Sequence, residues 1–573
     1  MNIIGINCYH NGSSAALVQD GFLKSAISEE RLNRIKNSSK FPINSIKSIL
    51  MQHNLTEKDI DFYCVNNSGH YFSFKRFLFI IKNFYKFFKL NNFKTLFSFN
   101  SHQNLIDKYI PRNKLIYVDH HLSHLESAFL TSSFDECVSL SLDGSGDFST
   151  GSFGYSKNNN TRIHGRFDFP NSLGIFYQAF TQFIGFKNFG DEYKLMGLSA
   201  YGSKNIFLKK KILNLIHYSD LNLKLDTKYF DFPFNNKKYI ANDEIFFNDL
   251  FCDHLQDYLN IKKSNNFVYS KDKADIAFAV QEVYEEVFLL ILNDLYKKYT
   301  NSNLCFSGGC ALNSKANGKI NKNTKFTNIF IPPEPGDAGG GIGAALSTYY
   351  KKNNSIKKSY QPNPYLAPKL NNNIIQEQLA LYIKNGQIKF YKFKSNLEMY
   401  NKVADIIIDK NVVGWFQDRM EFGARALGNR SILMDPRNSE AKNILNLKIK
   451  LRESYRPFAP SVLEEYLDDW FENANLSPYM NFVFDIKKEK RIIIPAVCHV
   501  DGTGRVQTVN SEDNEKFYGL INSFFQKTGV PILLNTSFNE NEPIINTPQE
   551  AIETFLRTQM DYVVIQDYLI SRV

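Results

Sequence analysis

Twice in this sequence an apolar strand runs into a turn carrying glycine and serine, then a second strand, a connection and a third strand. The first copy is Asn2–Asn7, the turn His10-Asn11-Gly12-Ser13-Ser14, Ala15–Gln19, the pair Asp20-Gly21 and Phe22–Ser28. The second is Cys137–Leu142, the turn Asp143-Gly144-Ser145-Gly146-Asp147, Thr150–Tyr155 and Arg162–Phe167. Short polar connections between runs of this length predict antiparallel meanders, and Asp-Gly is a strong hairpin signal. A meander must bury one face to be stable, so a chain that builds it twice is constrained to two α/β halves of one plan. The repeat lies in pattern rather than in identity.

That duplication is what a ribonuclease-H-like pair of half-domains requires when two matching turns clasp a nucleotide. The turn His10 to Ser14 resembles the phosphate-facing hairpin of actin-like ATPases and sugar kinases. The turn at Asp143, with Gly144 and Ser145, lets backbone N–H groups approach a phosphate. Just upstream, Asp119 is placed to cap a helix over residues 120–131. His120 and His124 are then one turn apart on one face, where two imidazoles share a cation. Histidine pairs at this spacing more often only pack, but the adjoining turn favours a site. In P-G-D-A-G-G-G-I-G, Asp337 is the third ligand, since a carboxylate beside two imidazoles suits iron, manganese or zinc. The strand-to-helix turn S-G-G-C-A-L-N places Gly308, Gly309 and Asn313 where a ring or ribose approaches closely.

The 573 residues, 43% hydrophobic and 14% aromatic, predict two or three domains. No apolar run reaches membrane-spanning length and the first residues lack signal-peptide character, so the expected location is cytoplasmic. Seven cysteines, an odd number without a C-x-x-C pair, suggest neither a zinc cage nor a disulfide framework. The net charge of +10 fits anionic substrates or nucleic acid. Residues 29–36 form a charged run that ordinarily stays solvated, although Lys36 is placed to reach a phosphate. Residues 71–100 hold six basic side chains and no acid; apolar positions 74, 77, 78, 81, 84, 85 and 88 predict a basic amphipathic helix. Such a helix more often packs its aromatic face on the domain; the alternatives are a peripheral contact with an anionic membrane or with RNA. The composition of residues 351–373 is that of a linker, dividing the chain into 1–355, 356–374 and 375–573. The last part interleaves arginine with glycine, proline and aromatics around Arg425, Lys450, Arg456 and Arg505, a pattern suited to bidentate phosphate capture. Asn535 and Ser537 add neutral donors at the end of an apolar strand.

With these residues in view, the chain resembles the O-carbamoyltransferases of nodulation and antibiotic tailoring. The matching segments are G-I-N-C-Y-H-N-G-S-S-A-A-L, D-H-H-L-S-H, S-L-D-G-S-G-D, E-Y-K-L-M-G-L, S-G-G-C-A-L-N, P-G-D-A-G-G-G-I-G-A-A-L, M-E-F-G-A-R-A-L-G-N-R-S-I-L, R-P-F-A-P-S-V-L and L-L-N-T-S-F-N, in family order. The resemblance implies an α/β chain: an N-terminal Kae1-like, duplicated actin-like domain binding iron, and a C-terminal YrdC-like domain making a carbamoyl-adenylate. ATP and carbamoyl phosphate would react in the second domain, and the carbamoyl group would pass to an acceptor hydroxyl at the metal with loss of AMP. Carried onto this sequence, His120, His124 and Asp337 match metal ligands, and Asp143 a fourth ligand or near neighbour. Fe2+ or another divalent metal is implied, with Mg2+ a further candidate. Lys36 matches a nucleotide-binding lysine. Lys450, Arg456, Arg505, Asn535 and Ser537 match contacts to ATP and carbamoyl phosphate, to which Arg425 is added; Lys450 and Arg456 are also candidates for catalysis. Ala424 and Cys310 depart from the usual proline and valine. His10 or Asp191 is the candidate to orient or deprotonate the acceptor, which is expected to be a sugar, nucleotide sugar or secondary metabolite, with no nucleic-acid partner. Competing expectations are tRNA threonylcarbamoyl-type modification and a non-catalytic actin-like ATPase that recruits a partner.

Overall fold

The computed structural model describes residues 1–68, 74–83, 105–232, 239–241, 244–246, 248–353, 358, 363–369 and 372–573. Backbone contacts divide it into two compact units, residues 1–30 with 37–362 and residues 31–36 with 363–573.

In the first unit, β1 (Asn2–Asn7), β2 (Ser14–Gln19), β3 (Phe22–Ser28), β4 (Phe62–Val65) and β5 (Leu115–Tyr117) form a sheet in the order β3-β2-β1-β4-β5. A second sheet joins β6 (Glu136–Gly146), β7 (Ser149–Lys157), β8 (Asn160–Asp168), β9 (Asn303–Ser307) and β10 (Asn328–Phe330) in the order β10-β9-β6-β7-β8. Each sheet opens with an antiparallel meander and extends by two parallel strands from the meander's first strand. The duplicated plan predicted from the turn pattern is therefore present in strand order and direction.

Among the helices of this unit are α1 (Phe74–Lys82), α2 (His120–Phe129), α3 (Leu173–Phe183), α4 (Glu192–Leu198), α5 (Lys271–Tyr299) and α6 (Asp337–Lys352). Helix α2 stops two residues short of the predicted end, where the Thr131 hydroxyl donates to the Ser127 carbonyl at 2.6 Å and competes with the backbone ladder. Helix α6 lies against β1, β2 and α2. Its glycines make that possible: a Cβ at Gly343 would stand 1.8 Å from the Ser123 carbonyl oxygen. Of the predicted basic helix, residues 74–82 are helical, and Phe79 meets the rings of Phe148 and Phe169 at 5.7 and 5.6 Å. Of the rest of that segment, residues 71–73 and 84–100 lie outside the described residues. No helix among the described residues is long and apolar enough to cross a membrane.

The charged run 29–36 is only in part a solvated face: Lys36 is exposed, but two of its charges are buried. Glu29 is 3% exposed and accepts from Asn44 and Ser45, while Arg31, 6% exposed, donates to the Gly423 carbonyl at 3.1 Å. Arg34 donates to the Ile544 and Pro543 carbonyls. Each head group has a partner replacing water, which is the condition for burying charge. A linear reading of the domains also misses that residues 31–36 pack in the second unit. Residues 363–369, read as linker, fold onto that unit as well: Tyr365, Leu366 and Ala367 are buried, and Arg419 donates to the Leu366 and Ala367 carbonyls.

The second unit is built on a ten-stranded mixed sheet, counted among the described residues. Four adjacent members are β11 (Val413–Phe416), β12 (Arg430–Met434), β13 (Ala459–Leu463) and β14 (Ile532–Ser537), in the order β11-β12-β14-β13, with β15 (Thr503–Val509) beside β13. Val413, Trp415, Ile432, Leu433, Val462, Ile532 and Leu533 have no exposed surface, which makes these strands the core.

Candidate functional site

Asp119 caps α2 by accepting from Leu122 N, as its position before the histidines predicts, and pairs with Arg166 at 3.0 Å. Asp147 Oδ2 accepts from the backbone N–H of His120 and of Ser68, both at 2.8 Å. The His124 carbonyl accepts from Ser307 on β9. Helix α2 is thus tied to the second sheet, and the imidazoles of His120 and His124 are fully buried. Their Nε2 atoms lie 3.2 Å apart. Asp143, near the end of β6, approaches His120 Nε2 at 3.2 Å and His124 Nε2 at 3.5 Å. Asp337, the first residue of α6, approaches His124 Nε2 at 3.3 Å and His120 Nε2 at 3.6 Å. One ligand atom from each of His120, His124, Asp143 and Asp337 falls within 4.8 Å of the others.

Burial alone would lower both imidazoles. Bonds to Asp143 outweigh it at His120, whose pKa is raised, and bonds to Asp143 and Asp337 push His124 up to about 10. Burial would raise Asp143, yet its bonds to the two histidines hold it well below the carboxylate range; burial and then the Asp143 charge raise Asp337. Four convergent donors, two nitrogen and two oxygen, fit a divalent transition metal. With neutral imidazoles the set carries two negative charges, and protons on the histidines stand where a cation would sit.

Around this cluster the structure brings together most of the candidates from the sequence. His10 stacks on His120 with ring centroids 5.2 Å apart. Gly309 N and Gly144 N donate to Asp143 Oδ1 at 3.2 and 2.8 Å. Gly308 takes φ +87° and a Cβ there would stand 2.2 Å from the Leu142 carbonyl oxygen, so only glycine fits beside β6. Ser145 is exposed; the predicted turn at 143–147 is instead the irregular end of β6, which runs to Gly146 with its pairing register shifted after Leu142. Two candidates are differently disposed. The Asn313 amide is turned inward, bonding Gln281 through both of its ends and capping the Ala316 N–H, so its polar atoms are not held out toward a ribose. Asp191 is paired with Lys194 at 2.9 Å.

The second unit gathers cations. Lys450, 1% exposed, donates to the carbonyls of Ser537 and Asn539 and to the Asn539 side chain. Burial, and after it Arg452 and Arg456, depress its pKa well below the lysine range, with Lys36 adding to the repulsion. Arg505 on β15 is depressed likewise by burial and by Arg425, Arg452 and Arg456. Asn535 donates through Nδ2 to Ser461 and Gln507, whereas its Oδ1 is buried without a partner among the described residues. The loop turns through a π-helical stretch at Leu445–Ile449 and a left-handed Leu451 at φ +43°, an unfavourable conformation for leucine of the kind concentrated at functional sites. Such crowding of like charge fits a polyanion. Arg430, by contrast, is wholly buried over the Phe416 ring and bonded to backbone carbonyls, a structural role. The sequence places Arg452 in the same basic stretch as Lys450 and Arg456, whereas Asp147 has no role assigned from the sequence although D-G-S-G-D contains it.

Residues 2–346 match the family description Carbamoyltransferase N-terminus, and residues 404–572 match Carbamoyltransferase C-terminus. The chain belongs to the carbamoyltransferase family. Similar to this carbamoyltransferase are protein sll1178 of Synechocystis, 37% identical over 100% of this chain and 97% of the relative, and protein MJ1051 of Methanocaldococcus jannaschii, 32% identical over 100% of each. Nodulation protein NolNO of Sinorhizobium fredii is 33% identical over 99% of this chain and 80% of its own length. Among solved structures, T. kodakarensis HypF is 14% identical with a TM-score of 0.31, over 63% of this chain and 48% of that one.

Proposed function

We propose that this transferase is an ATP-dependent O-carbamoyltransferase of Kae1-like and YrdC-like organisation. In the second unit ATP and carbamoyl phosphate give carbamoyl-adenylate, and in the first the carbamoyl group passes to an acceptor hydroxyl with release of AMP. The observation that carries this reading is the depressed, like-charged set of Lys450 and Arg505 with Arg425, Arg452 and Arg456, which answers triphosphate and carbamoyl phosphate better than a single small anion. Arg456 and Lys450 would hold the reacting phosphates, Asn535 Oδ1 and the Ser537 hydroxyl would orient the carbamoyl amide, and Lys36 and Arg505 would complete the nucleotide contacts. In the first unit His120, His124, Asp143 and Asp337 would hold a divalent metal such as Fe2+. When bound, it supplies a Lewis acid for the carbamoyl group. Gly144, Ser145, Gly308 and Gly309 offer the adenylate close backbone approach, and His10, stacked on His120, orients the acceptor. Carbamate is unstable in water, so making and consuming the mixed anhydride on one chain protects it.

The acceptor we propose is an anionic sugar, nucleotide- or lipid-linked, drawn by the basic residues between 71 and 100. Helix α1, whose Phe79 packs on the β6–β7 hairpin, supports that placement. Incubation with ATP, carbamoyl phosphate and a panel of nucleoside-diphosphate sugars should yield AMP and a mass gain of one carbamoyl group. ADP without AMP would return the chain to an ATPase switch, and steeply salt-dependent tRNA binding would favour RNA modification.

A further inference from the structure

Asn535, Ser461 and Gln507 stand on the neighbouring strands β14, β13 and β15 and are 1%, 0% and 2% exposed. Gln507 Nε2 donates to the Leu427 carbonyl at 2.8 Å, which turns its Oε1 toward the other two side chains. Ser461 Oγ donates to that Oε1 at 2.6 Å and accepts from Asn535 Nδ2 at 3.1 Å. Asn535 Nδ2 also donates to Gln507 Oε1 at 3.0 Å and to the Ala426 carbonyl at 3.2 Å. A backbone carbonyl only accepts, so Leu427 fixes which end of the Gln507 amide faces it, and Ala426 does the same for Asn535. The bonds to the Asn535 amide thus fall on its nitrogen. Its Oδ1 is buried without a partner among the described residues, a state that a bound donor would relieve.

That oxygen lies beside the cationic cluster. Alternation along a strand puts Ser537 on the same face of β14 as Asn535, and Arg505 on the same face of β15 as Gln507. Lys450 donates to the Ser537 carbonyl, and Arg425 immediately precedes Ala426. A phosphate held by these cations would bring the group attached to it within reach of the Asn535 amide.

We infer that Gln507, directly and through Ser461, is a positioning residue that holds Asn535 Oδ1 toward an NH2 group and so makes this site choose carbamoyl phosphate over its methyl isostere, acetyl phosphate. The inference rests on the carbamoyl phosphate reading proposed above. An amide nitrogen donates to Oδ1; a methyl group in its place brings no donor and leaves a buried carbonyl oxygen unpaired, the condition under which a site rejects an isostere most strongly. Without Gln507 Oε1 the Ser461 hydroxyl loses its acceptor and turns to the Asn535 amide oxygen, which is then no longer kept for the ligand.

The test is calorimetry on the full chain with α,β-methylene-ATP present to prevent turnover, titrated in the cold with fresh carbamoyl phosphate or acetyl phosphate. Wild type should bind carbamoyl phosphate about 10- to 100-fold tighter than acetyl phosphate. Gln507→Leu should bring the two dissociation constants within about threefold of each other, by weakening carbamoyl phosphate while acetyl phosphate, which makes no bond to Oδ1, binds as before. Ser461→Ala, a smaller change, should narrow the ratio in the same direction, and it carries the test if Gln507→Leu does not fold. Equal affinities in wild type, or a ratio that the variants leave unchanged, overturn the positioning role. No binding of either acyl phosphate to wild type overturns instead the carbamoyl phosphate reading on which the inference rests.

Discussion

In the first unit two imidazoles and two carboxylates answer one another's charge, whereas the second unit collects lysine and arginine around few acids. The opposite pKa directions follow: His120 and His124 are raised by their carboxylates, Lys450 and Arg505 are depressed by burial and by their own kind. The first cluster closes on itself with protons in place of a cation, and the second holds like charges crowded together. A balanced cluster selects a metal by geometry; an unbalanced one selects a polyanion by charge.

The sharpest way to break this comparison is a crossed pair of variants. His124→Ala should lose bound metal and more than about 100-fold in transfer, a ligand counting for more than the outer-shell groups whose loss costs 10- to 100-fold. Arg456→Ala should keep the metal and lose roughly 10²- to 10⁴-fold in AMP formation, two charge-assisted bonds at about 1.5–3 kcal/mol each. Equal loss of AMP formation in both, with metal retained in the arginine variant, would dissolve the division of labour.

A smaller effect reads the second cluster through stability. Phosphate or ATP at about 100 times its dissociation constant should stabilise the protein by about 2.7 kcal/mol in calorimetry. Lys450→Met should lose most of that response and be the more stable protein without anion. The sign follows from the depressed lysine: its contribution is fully present above the unfolded value of about 10.4 and is lost as pH falls toward the folded value. Bound anion should flatten that dependence.

Replacing Lys75, Lys82, Lys86 and Lys89 by glutamine should raise the acceptor KM roughly 3- to 10-fold and reduce its salt dependence, with AMP formation unchanged. An unaltered KM would leave the helix a packing element. Smallest is Asp119→Ala, which removes the α2 cap and the Arg166 partner; denaturant titration should show a loss of about 1 kcal/mol. A loss near zero would mean that the ties through Asp147 and Ser307 alone hold the histidine helix.

The sequence determined much of this by local rules. Apolar runs and short polar turns specify both meanders, Asp119 specifies where α2 begins, and the i, i+4 spacing puts His120 and His124 on one face. Tertiary structure decided the rest, because long-range contacts have no local signal. It set Asp143 and Asp337, 194 positions apart in the sequence, against the same imidazoles. It packed residues 31–36 into the second unit, buried the heads of Glu29 and Arg31, turned Asn313 inward, and paired Asp191 with Lys194. Each of these outcomes depends on which groups replace water around a charge, and that is fixed only when distant segments meet.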